Sequence, residues 1–186
     1  MEAFSDGVLA IIITIMVLEL EVPHEATLSA LQPLVPVFLS YVLSFVYLGI
    51  YWNNHHHMLQ AVQHVNGRVL WANSHLLFWL SLVPFATAWM GQNQFAAIPV
   101  AVYGIVLICA AFAYYILAHS LISCHGRDSA LAKAFGRDVK GKISPVIYAL
   151  GIVLSFVSAG LACGLYILVA VMWLIPDRRI ERVISE

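Results

Sequence analysis

Five long apolar stretches, separated by short polar segments, set the terms on which this chain can fold. Four run over residues 4–20, 34–53, 69–90 and 95–123, and the last extends from Ile143 to Ile175. A helix crosses the hydrocarbon layer of a bilayer with about 20 mostly apolar residues, and each stretch meets or approaches that length. The last is too long for one crossing and has only Ser158, Ala159 and Gly160 at its middle, so it divides into two short helices, 143–158 and 160–176. The expectation is an all-α, polytopic membrane protein with six transmembrane helices. Composition agrees, because 62% of the 186 residues are hydrophobic and only 10% are charged. Soluble domains carry about 25% charged residues, so a chain this poor in charge cannot clothe a globule in polar surface. Residues 1–186 therefore read as one membrane domain with no soluble unit attached.

The basic residues give the expected orientation. Lys and Arg number nine, and in the six-span reading all fall after the second and fourth spans or in the C-terminal tail. The connections after the first, third and fifth spans hold none, so the positive-inside rule places both termini in the cytoplasm. A net charge of −1 and the lack of any basic stripe argue against nucleic acid as a partner; lipid is the expected surroundings. Cys109, Cys124 and Cys163 lie far apart with no CxxC spacing, which suits small apolar fillers rather than a disulfide or zinc framework. No GxSxG, HExxH or P-loop pattern occurs, and no cofactor is expected. The chain does not read as an enzyme.

Polar groups at membrane depth are costly and usually face a bundle interior or a wet path. In FSDGVLAIIITIMVLEL, Gly7, Ile11, Thr14, Ile15 and Leu18 share one helical stripe, while Ser5 and Asp6 point elsewhere. That stripe can be ordinary packing, or it can close around an axis as a hydrophobic constriction. Asp6 can stabilise the start of its helix. Alternatively it joins a buried network, since Asn73, Ser74 and His75 of the third span and Asn53 and Asn54 of the second lie at the depth of Ser5 and Asp6. Glu19 and Glu21 make the outer end of the first span acidic, which would concentrate cations if repeated by symmetry. His57 and His64, with Gln60 between them, share a helical face and could hold a metal only weakly, since no carboxylate or cysteine completes the shell. The run His55-His56-His57 reads instead as a wet, partly protonatable extension of the second helix.

The run from Phe4 to Leu18, FSDG-x-x-A-I-x-x-T-I-M-x-L, resembles the transmembrane protein 175 family, lysosomal potassium channels with bacterial homologues. YWNNHHHM, LWANSHLLFWLSLVPFATAW and WLIPDRR extend the resemblance over nearly the whole chain, and the family's arginine would fall one place ahead of Met1. The resemblance implies a bacterial single-unit member, in the cell's inner membrane, that assembles as a homotetramer and passes K+. It implies that the first helix lines a central pore. Ile11 and Leu18 would then form apolar collars with Thr14 between them, and Phe4, Ser5 and Asp6 would hold helices together near the cytoplasmic end. Modest K+ over Na+ selectivity is expected, K+ being the less tightly hydrated ion. The alternative is a proton-coupled or metal-ion carrier using Asp6, His75 and the histidine run, although the inverted repeats common in carriers are not visible.

Overall fold

Proline and glycine positions explain most of the breaks in the helices. In the computed structural model, which describes residues 1–62, 64–126, 132 and 139–174, the first helix α1 (Glu2–Leu18) opens the chain. A 3₁₀ segment (Leu28–Leu34) containing Pro33 leads into α2 (Val35–Gln60), with Pro36 at its start, where a missing N–H costs nothing. The third apolar stretch forms two helices, α3 (Gly67–Ser81) and α4 (Val83–Gln92). Leu82 alone separates them, because Pro84 cannot donate to the carbonyl of Leu80 and its ring crowds that turn. After α4, Gln94 and Phe95 adopt positive φ, and the Phe95 N–H closes the turn on the Met90 carbonyl at 2.9 Å. Then come α5 (Ala97–His125), α6 (Val139–Ser155) and α7 (Ala159–Leu174). The three-residue break between α6 and α7 lies in the Ser158 region where the last apolar stretch divides.

Among the described residues, three rods are long and apolar enough to cross a membrane: Leu28–Gln60, Gly67–Gln92 and Ala97–His125. The helices α1, α6 and α7, at 17, 17 and 16 residues, are shorter. At 1.5 Å per residue they reach roughly 25 Å, a little under a typical hydrocarbon thickness. Helix α2 continues past residue 53, the expected end of the second span, and takes in all of His55–His57. Met58 and Leu59 are buried on that extension, and the Asn54 amide donates to the Ile50 carbonyl at 2.8 Å, so packing holds the turn helical. Of the basic positions, Arg127, Lys133, Arg137, Arg178, Arg179 and Arg182 lie outside the described residues, as does the end of WLIPDRR.

Helix α5 is the hub and packs against α3, α4, α6 and α7, while α1 lies across α2, α3 and α4. Polar groups inside the bundle pair between helices. Ser44 of α2 bonds the Thr87 hydroxyl of α4 at 2.6 Å and the Tyr103 hydroxyl of α5 at 3.0 Å, and Tyr47 donates to the Tyr166 carbonyl of α7 at 2.6 Å. Bonds of this kind link helices that lipid gives no hydrophobic reason to associate. The Tyr166 ring is buried directly against Gly104 and Gly151, where any Cβ would collide with it. Those two glycines let α5, α6 and α7 meet around one aromatic ring.

Candidate functional site

Helix α1 has two stripes of opposite fate. Ser5, Leu9, Ile12 and Met16, spaced four, three and four apart, are buried against α2, α3 and α4. The stripe two residues on, Gly7, Ile11, Thr14 and Leu18, faces away from the subunit, together with Ile15. Ile11 is 59% exposed and Leu18 is 81% exposed, so the bulky apolar residues singled out from spacing lie outside the packed core of the chain. The Thr14 hydroxyl donates to the Ile11 carbonyl of its own helix at 2.8 Å. Its proton is thereby committed and its oxygen lone pairs stay free to accept. Glu19 and Glu21 are exposed just beyond the end of α1. A carboxylate there faces the negative end of the helix dipole, so it gains nothing from its own helix.

At the opposite end of α1 lies a buried hydrogen-bonded chain. The Asn73 amide of α3 donates to Ser5 Oγ at 3.0 Å, and Ser5 Oγ in turn contacts the Met1 carbonyl at 3.2 Å. That fixes Asn73 Oδ1 as an acceptor, so His55 Nε2, 2.7 Å away on α2, carries the proton it donates. His55 Nδ1 is buried without a partner and bears no hydrogen in this tautomer.

The other residues expected in this network lie apart from it. Helix α1 begins at Glu2, so Asp6 sits in its second turn rather than capping its start. Asp6 accepts from Trp52 Nε1 of α2 at 3.0 Å. Phe4 is 64% exposed, and His75, also exposed, accepts from Trp79 Nε1 at 3.0 Å on its own helix. His64 uses its backbone N–H on His125 Nε2 at 3.2 Å, which ties the α2–α3 connection to the end of α5. Neither His57 nor His64 belongs to a group of three possible ligands among the described residues. Sequence reasoning missed His55 and Trp52 as partners. His55 could have been found, since it alone of the three adjacent histidines falls on the buried face with Leu48 and Leu59.

Comparisons with known proteins bear on what this arrangement does. Residues 1–84 match the family described as endosomal/lysosomal potassium channel TMEM175. A potassium channel of Chryseobacterium sp. (strain P1-3) is 58% identical over 186 residues, covering 100% of this chain and 97% of that protein. A potassium channel of Streptomyces collinus is 31% identical, covering 92% of this chain and 89% of that one. The crystal structure of a lysosomal potassium-selective channel TMEM175 homolog from Chamaesiphon minutus superposes with a TM-score of 0.79 at 30% identity, over 94% of each chain.

Proposed function

This chain belongs to the TMEM175 family of potassium channels, and from that premise we propose that the exposed stripe of α1 is its ion pathway. The observation that carries the reading is the stripe itself. Ile11, Ile15 and Leu18 stand outside the core of a subunit whose other α1 face is fully packed. Four copies around an axis bring the stripes together as a homotetrameric pore, with an open groove between α1 and α4, lined by Val8, Ile15, Phe85 and Trp89, facing the neighbouring subunit. Leu18 and Ile11 then form narrow apolar collars that an ion crosses partly dehydrated, and dewetting at the collars can shut the path. Between them the Thr14 oxygens, freed by the bond to Ile11, replace some of the lost water. Potassium passes more readily than sodium because its hydration shell is released at lower cost, so the preference is modest. The Glu19 and Glu21 carboxylates, gathered by symmetry, raise the cation concentration at the outer mouth.

The chain sits in a bacterial inner membrane with both termini in the cytoplasm. Arg68 lies in the first turn of α3 and Lys140 and Lys142 in the first turn of α6, and the His64–His125 contact ties the turn before α3 to the end of α5, which supports grouping the described basic residues at one end. A carrier built on Asp6 and His75 has less support, because these two residues bond to different tryptophans and share no path. Reconstituted into liposomes, the protein should pass K+ faster than Na+ in a flux assay. Leu18→Ala, by widening the collar, should raise Na+ permeation relative to K+ several-fold. Absence of flux, or unchanged selectivity in the variant, would sink the assignment.

A further inference from the structure

The first two turns of α1 hold a second arrangement, separate from the stripe and from the Ser5–Asn73–His55 chain. Glu2 and Asp6 are four residues apart, so their carboxylates rise from one helix face. His56 reaches that face from α2, with Nδ1 2.9 Å from a Glu2 carboxylate oxygen. One ligating atom from each of the three residues lies within 4.8 Å of the other two. Nδ1 is shut off from water yet makes no aligned hydrogen bond, even to that nearby oxygen. A nitrogen shut off from water, beside one carboxylate and within 4.8 Å of a second, is placed as a coordinating imidazole would be.

The surroundings hold the ligands in place. Trp52 donates to Asp6 Oδ1 at 3.0 Å and stacks on the His56 ring, with centroids 5.6 Å apart and planes 22° from parallel. The Gln60 side-chain amide meets His56 Nε2 at 2.8 Å. With Nδ1 on a metal, Nε2 carries the proton and the amide turns its oxygen to accept it, the outer-shell bond that ligating histidines usually make. We propose that Glu2, Asp6 and His56 bind a divalent transition-metal ion of the Zn2+ type, stapling the start of α1 to α2.

With three protein ligands, an ion of this type keeps open positions for water. An imidazole in the set favours such an ion over Mg2+ or Ca2+, which take oxygen ligands. Two carboxylates four apart on one helix repel each other, and a divalent ion between them cancels that charge. Glu2 and the His56 side chain remain 45% and 30% exposed, which leaves a way in for the ion.

The test is thermal unfolding of the purified full-length chain with Zn2+ titrated in the micromolar range, and Mg2+ at equal concentration as the comparison. Zn2+ should raise Tm by several degrees and Mg2+ should not. Glu2→Gln and His56→Gln should each weaken the apparent affinity by about tenfold or more, as even an outer-shell loss does. His57→Ala should leave it in place. Glu2→Gln keeps its shape at a half-exposed position, so it remains informative should His56→Gln fold poorly. A Tm that ignores Zn2+, an equal response to Mg2+, or a shift retained in both ligand variants overturns the proposal. So does a shift lost only in His57→Ala. Because the readout is binding, a failure here leaves the conduction reading standing.

Discussion

Asn73 is the residue on which the N-terminal end of α1 turns, since its amide both donates to Ser5 and accepts from His55 in a buried setting. Replacing it by Leu of similar volume strands the His55 N–H and leaves the Ser5 hydroxyl only the Met1 carbonyl. A stranded buried donor costs about 1–3 kcal/mol, so Asn73→Leu should lower stability by several degrees in Tm, measured by thermal unfolding in detergent.

Sequence reasoning reached part of this network. Span position alone matches Ser5 with Asn73 by depth, and the two do bond. The same logic matches His75, which instead bonds Trp79 on its own helix, because depth says nothing about which way a helix is turned. His55 was hidden by its neighbours, since three adjacent histidines look alike until the buried side of α2 is known.

At the scale of elements, packing around Tyr166 is the tightest constraint. Gly104→Ala would push a methyl into the Tyr166 ring and the Ile152 side chain, forcing α5 away from α7. Overpacking of this kind costs about 1–3 kcal/mol, so the variant should unfold at lower temperature, while Gly7→Ala, with open space around it, should change Tm little. The order of the six spans follows from apolar length, together with the small residues 158–160 that divide the last stretch. The α3–α4 break does not, because an apolar run continues straight through Pro84 and hydropathy is blind to a missing N–H. Chemical punctuation was there to be read, and proline inside a helix is its plainest form. The end of α2 was set too early at 53 because polar Asn and His residues mask the buried Met58 and Leu59 that keep the helix going.

The whole molecule is incomplete as a single copy under the proposed reading. One face of α1 is finished by its own subunit, and the other leaves Ile11 and Leu18 exposed. Native mass spectrometry from detergent should find a particle four times the 20.6 kDa chain, and a monomer at conducting protein-to-lipid ratios would contradict the pore. Here the sequence could supply the stripe but not the symmetry, since helical spacing describes one helix and says nothing about how many meet.

The Thr14 hydroxyl, bonded back to its own helix, has one more consequence. A hydroxyl with a free proton is indifferent to the sign of a passing ion, offering hydrogen to chloride as readily as oxygen to potassium. Thr14 has already spent that hydrogen on Ile11. A ring of such residues would present only electron pairs to the axis, and an anion arriving there would find nothing to replace its water. Discrimination by charge sign would then reside in a neutral side chain, set by the direction of a single bond inside the helix.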